Sequence, residues 1–146
     1  TLGIRMEKSQ QNAIEIANWL KEQSIVIQVI YPGLKEHPGH EIMKKQARGF
    51  GSMLTFQLES PEFALSILSK VRMIKFAESL GGVETLVTYP TTQTHADVPE
   101  EIRERNGITR STLRLSVGIE DAQDLLEELE KVFAETEEEL NGGKKS

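Results

Sequence analysis

The stretch Thr112-Leu113-Arg114-Leu115-Ser116-Val117 alternates polar and apolar side chains without a break. Such a period of two marks a strand with one covered face and one uncovered face. Leu113, Leu115 and Val117 share the covered side, and Thr112, Arg114 and Ser116 share the other. A sheet built around this strand therefore needs helices on one side only. The residues that follow supply one: Asp121 is placed as its N-cap, and Leu125, Leu126, Leu129, Val132 and Phe133 recur at helical spacing.

Working back towards the start, helices and strands interleave. Residues 2–22 read as a helix with Leu2, Met6, Ala13, Ala17 and Leu20 in one stripe, and residues 25–31 as a strand stopped by Pro32-Gly33. A loop over 34–39 and a short helix over 41–47 follow. Gly49-Phe50-Gly51 opens a second strand, with Phe50, Leu54, Phe56 and Leu58 on one face. Ser60 and Pro61 start a helix expected to turn Ala64, Leu65, Leu68 and Val71 inward. Residues 73–77 and 85–89 read as short strands around a Gly81-Gly82 turn. A hydroxyl-rich loop over 90–98 and a charged helix from Pro99 to about Gly107 lead back to the alternating strand. The expected architecture is α+β, a small and mostly antiparallel sheet with helices packed on one face. Residues 135–146 are expected to form a disordered tail. The first helix begins in mid-pattern, which suggests a piece of a longer polypeptide.

Composition narrows the function. The 146 residues suffice for one domain with its own core, and the net charge of −6 argues against a nucleic-acid groove. Ten acidic residues lie between Glu120 and Glu139 against the single Lys131, so the excess sits in the last helix and tail. With no cysteine, disulfides, thiolate metal sites and cysteine nucleophiles are excluded. No apolar run is long enough to span a membrane, and a cytoplasmic protein is expected.

Self-contained catalytic signals are sparse. His37 and His40 flank Pro38-Gly39, which breaks any helix that would align them on a metal, and His95 has Thr94 and Thr92 close by in sequence, but adjacent residues rarely face each other productively. All three read as hydrogen-bonded or exposed loop histidines. The glycine pairs match no phosphate-binding pattern. Arg114 keeps two readings open. A guanidinium on a rigid strand, flanked by hydroxyls, suits a bidentate grip on a carboxylate; a solvent-facing arginine on the uncovered side fits the alternation equally simply, and pattern alone favours it.

Five stretches read together change that balance. Tyr31-Pro-Gly-Leu-Lys-Glu-His-Pro-Gly-His40, Gln46-Ala-Arg-Gly-Phe-Gly-Ser-Met53, Phe76-Ala-Glu-Ser-Leu-Gly-Gly-Val-Glu-Thr-Leu86, Thr94-His-Ala96 and Leu113-Arg-Leu-Ser-Val-Gly-Ile-Glu-Asp121 resemble, in order and spacing, the trans-sulfuration family of pyridoxal-phosphate enzymes of Cys/Met metabolism. The resemblance covers residues 1–134 and implies the C-terminal small domain of a fold-type-I enzyme, whose large cofactor-binding domain is absent from this chain. It implies that Arg114 binds the α-carboxylate of an amino-acid substrate and that Ser79 helps hold it. By the same resemblance Glu78 lines the pocket near the distal part of the substrate, and Thr94 is a wall hydroxyl. No catalytic, cofactor or metal ligand is carried over: the family's Schiff-base lysine and phosphate-binding residues precede this domain, and Lys70, Lys75 and Lys131 match neither. The isolated chain is therefore expected to be inactive. Within the family, Glu78 and residues 88–97 look most like the cystathionine γ-synthase and O-acylhomoserine thiol-lyase branch of methionine biosynthesis. Cystathionine β-lyase and γ-lyase are the alternatives, and a stand-alone interaction module is the alternative outside the family. The resemblance implies a homotetramer for the complete enzyme.

Overall fold

In the computed structural model, which describes residues 2–46, 50–76, 84–90 and 109–141, the alternating stretch lies at the centre of a sheet. The elements in chain order are helix α1 (Leu2–Lys21), strand β1 (Val26–Ile30), helix α2 (His40–Gln46), strand β2 (Met53–Leu58), helix α3 (Pro61–Lys70), strands β3 (Lys75–Phe76), β4 (Leu86–Thr88) and β5 (Thr112–Ser116), and helix α4 (Ala122–Asn141). The strand order is β1-β2-β5-β4-β3. Neighbours run antiparallel except β3 and β4, which are parallel.

Register divides the sheet into two faces. Leu54 pairs with Leu115, Phe56 with Leu113, and Val87 with Leu115 from the other side. All five side chains are buried, and α1 and α3 lie over this face while α4 packs against both helices. Phe133 of α4 closes the core, with its ring 4.9 Å from Trp19 of α1 and 6.4 Å from Phe56 of β2. Each such buried side chain contributes roughly 1.5–3 kcal/mol of transfer free energy, so the covered face holds the fold together. The α+β architecture expected from the sequence is the one observed.

Several local expectations need correction. The stripe of α1 is buried from Ala13 through Ile16, Ala17 and Leu20, but Met6 and Ile4 are exposed, because the first turns of the helix lie outside the core. In α3 the buried set is Phe63, Ala64, Ser66 and Ile67. Leu65 is 52% exposed, since its helical angle sets it on the flank opposite Ile67. Ser60 precedes that helix in extended geometry, yet its hydroxyl makes no capping hydrogen bond. Asp121 does cap α4, accepting from the amide of Gln123 at 2.8 Å. The largest revision concerns the tail. Residues 135–141 are helical, with Thr136 buried and Leu140 packed on the core, so the disordered tail does not begin at residue 135. The expected loop over 90–98, the helix from Pro99, the Gly81-Gly82 turn and residues 142–146 lie outside the described residues, save for Pro90.

Two carboxylates of the α4 region organise the β3–β4 half of the sheet. Glu128 accepts the amides of Arg72, Met73 and Ile74 at 3.0, 2.7 and 2.7 Å, which anchors the approach to β3. Glu120 accepts both the amide and the hydroxyl of Thr85, at 2.8 and 2.7 Å, just ahead of β4. Carboxylate acceptors of this kind satisfy backbone N–H groups that a short strand leaves open.

Candidate functional site

Arg114 occupies the middle of β5, with Thr55 of β2 opposite it on one side and Thr88 of β4 on the other. Antiparallel partners share a face, so these three residues lie on the side turned away from the helices. Arg114 is half-buried there, and among the described residues its guanidinium has neither a hydrogen-bond partner nor an ion-pair partner. The two ion pairs among the described residues lie elsewhere, Lys21 with Glu36 and Lys70 with Glu139. An arginine held on a central strand, partly removed from water and with no carboxylate paired to it among the described residues, has the geometry and charge for a bidentate anion.

Thr88 adds a feature that sequence reading missed. Its side chain is buried, and its Oγ1 has no hydrogen-bond partner among the described residues. The hydroxyl could have been noticed in the sequence only by pairing β4 with β5, which no local pattern supplies. Glu78, Ser79 and Thr94, the other residues expected to line the site, lie outside the described residues. The chain that carries Glu78 and Ser79 leaves β3 and re-enters at β4, the strand paired with the arginine strand.

The histidines have local structural roles. The Nδ1 of His37 accepts the amide of Gly39 at 2.8 Å, and the Nδ1 of His40 lies 2.8 Å from the Pro32 carbonyl. The His40 ring also stacks on Phe50, with centroids 4.7 Å apart. His95 lies outside the described residues, and no group of metal-ligating side chains occurs among the described ones. Nearby, the buried Tyr31 hydroxyl donates to the Gly51 carbonyl at 2.7 Å, and burial pushes its phenol up to about 12. Two of the five motif stretches thus meet in space, through Tyr31 and His40 on one side and Phe50 and Gly51 on the other. Gly51 sits there at a φ of 79°, a conformation open to glycine.

The described residues fit a carboxylate and not a pyridoxal ring or its phosphate. Lys70 is engaged by Ser66 and Glu139, and Lys75 and Lys131 are exposed. The groove that Lys70 and Lys131 border also carries Asp124, Glu127, Glu128 and Glu135, whose charges oppose a phosphate. A second groove, beside β1 and the 34–38 turn, is bounded by Ile27, Ile30, Leu34, Lys21 and Glu36 at the sheet's far edge from β4. Among the described residues no helix is long and apolar enough to cross a membrane.

Comparison with known proteins gives this geometry its context. Residues 1–134 match the model of the Cys/Met metabolism PLP-dependent enzyme family. The chain is 47% identical over 129 residues to cystathionine gamma-lyase of Bacillus subtilis, covering 88% of this chain and 34% of that protein. It is 44% identical over 135 residues to the cystathionine beta-lyase of the same organism, covering 92% and 35%. The crystal structure of cystathionine gamma synthase from Xanthomonas oryzae pv. oryzae in complex with cystathionine superposes with a TM-score of 0.89 at 42% identity, over 94% of this chain and 36% of that one. The chain spans about a third of the length of the curated relatives it matches. Alternating strand, single helical layer and motif order agree with what these matches state directly: the chain belongs to the Cys/Met metabolism family of pyridoxal-phosphate-dependent enzymes.

Proposed function

We propose that this chain is the C-terminal, substrate-gripping domain of an enzyme of the cystathionine γ-synthase type, in which the sulfur of cysteine or sulfide takes the place of the acyloxy group of an O-acylhomoserine and that group leaves as a carboxylate. The observation that carries the reading is Arg114. It is a half-buried guanidinium on the central strand, on the side away from the helices, with no carboxylate paired to it among the described residues. An amino-acid substrate brings a carboxylate that such a guanidinium can grip at two points. Ser79, Glu78 and Thr94 complete the pocket in this reading, with Ser79 assisting at the carboxylate and Glu78 facing the distal end of the substrate.

The domain's share of the chemistry is orientation. Pyridoxal phosphate, held by the rest of the enzyme, activates whichever bond at the α-carbon lies along its ring's π-system. A two-point grip by Arg114 fixes the carboxylate and with it the rotation of the α-carbon, so that one bond is presented and others are not. Closing the domain over the substrate also keeps water from the reacting atoms. In the complete enzyme the site belongs to a homotetramer in which the other domain supplies the cofactor.

The lyases are a second reading, supported by the cystathionine gamma-lyase and beta-lyase relatives named above. Assay of the full-length enzyme separates the two. Turnover of O-acetyl- or O-succinylhomoserine with cysteine, exceeding cleavage of cystathionine, supports the synthase reading; faster cleavage of cystathionine overturns it in favour of the lyases.

A further inference from the structure

Strand β4 contains only Leu86, Val87 and Thr88, yet it forms one wall of the Arg114 site. A three-residue ladder has few backbone hydrogen bonds to define its register. A slip by one residue would turn Val87 towards the arginine and drive Thr88 into the core. Something outside the ladder must therefore pin it.

The pins are present at both ends of β4, and both come from the turns that flank β5. Before β4, the hydroxyl of Thr85 donates to Glu120 at 2.7 Å and accepts the Gly118 amide at 2.9 Å, while the Thr85 amide donates to the other Glu120 oxygen at 2.8 Å. After β4, the Tyr89 hydroxyl donates to the Arg110 carbonyl at 2.5 Å. The turn at 118–120 is itself tied to α1, because the buried Asn12 amide donates to the carbonyls of Gly118 and Glu120 at 3.0 and 2.7 Å. Thr85 is fully buried, so its bonds to a charged acceptor are shielded from competing water.

Resting on the reading of Arg114 as the carboxylate grip, we infer that Glu120 and Thr85 are positioning residues that fix β4 in register beside β5 and so set the wall against which Arg114 holds its ligand. Neither residue touches the substrate. Glu120 acts through Thr85, Thr85 through the β4 ladder, and the ladder through the side chain at position 88 that faces Arg114.

The test uses the full-length enzyme and its amino-acid substrate, compared with the same substrate carrying a carboxamide in place of the α-carboxylate. The ratio of their kcat/KM values measures how well the carboxylate is gripped. Arg114→Ala is expected to abolish the preference for the acid. Thr85→Val, which keeps the side chain's shape but removes its hydroxyl, is expected to lower the preference by about tenfold. Thr85→Ser, which keeps the hydroxyl, retains it. Should Thr85→Val not accumulate as folded enzyme, Glu120→Gln takes its place under the same criterion, since it keeps volume and one acceptor oxygen. Equal losses for acid and amide in Thr85→Val, or a loss in Thr85→Ser as large as in Thr85→Val, overturn the positioning role. A preference that survives Arg114→Ala overturns the carboxylate grip itself, whereas one lost in Arg114→Ala but kept in Thr85→Val overturns only the part played by Glu120 and Thr85.

Discussion

Thr88 stands directly across the β4–β5 ladder from Arg114, buried, with its hydroxyl oxygen unpaired among the described residues. An unpaired buried hydroxyl is a local loss of stability that the fold tolerates next to its candidate site. Thr88→Val exchanges that hydroxyl for a methyl of similar size. The variant is expected to be more stable in denaturant by about 1 kcal/mol. Destabilisation by a comparable amount would mean that the hydroxyl is satisfied in solution.

Tyr31 predicts an alkaline limit. Burial raises its phenol to about 12, above the usual tyrosine value of about 10. Below the unfolded value both states are protonated and this group adds no pH dependence. Between about 10 and 12 the unfolded chain loses the proton that the folded chain keeps, so stability falls as pH rises through that window. Chemical denaturation across it should show the decline in the native sequence and a flatter profile in Tyr31→Phe. Identical slopes in the two proteins would remove Tyr31 as the cause.

The extended α4 makes a prediction that the sequence expectation would not have made. Thr136 bonds Ser66 of α3 at 3.2 Å, and Lys70 of α3 reaches Glu139, which holds that carboxyl below its usual range. A chain stopped after Ala134 loses these contacts and the packing of Leu140. A loss of about 1–3 kcal/mol in unfolding free energy is expected, whereas an unchanged melting temperature would restore the view of residues 135–141 as a dispensable tail.

How much of this was readable beforehand follows from where each signal resides. The sheet centre was legible because Leu113, Leu115 and Val117 repeat at a period that only a one-faced strand explains. The face of α3 was only partly legible, since Leu65 is as apolar as its neighbours and only the helical angle separates it from Ile67. The end of α4 was hidden by its chemistry. Thr136 continues the stripe of Leu125, Leu129 and Val132, but it is polar and sits in a run of glutamates that read as solvated tail. The Glu120–Thr85 lock joins residues 35 apart, and the Thr88–Arg114 pairing needs the strand order, so neither leaves a local trace. Arg114 itself was visible as a strand arginine, but the face alternation could not tell a ligand grip from a solvated side chain.

The cofactor preference of the chain is testable by itself. Among the described residues no lysine combines burial with freedom from a carboxylate. Pyridoxal phosphate added to the isolated chain is expected to give no stoichiometric adduct that borohydride fixes. One adduct per chain at a single lysine would show that this polypeptide carries a cofactor site of its own.

The most direct measurement is the specificity constant of the full-length enzyme with Arg114 replaced by alanine. Loss of a charged, partly desolvated grip on the substrate should lower kcat/KM by roughly 2–5 kcal/mol of transition-state binding, at least about thirtyfold. A specificity constant unchanged by Arg114→Ala, in enzyme that remains folded and cofactor-loaded, would contradict the account at its centre.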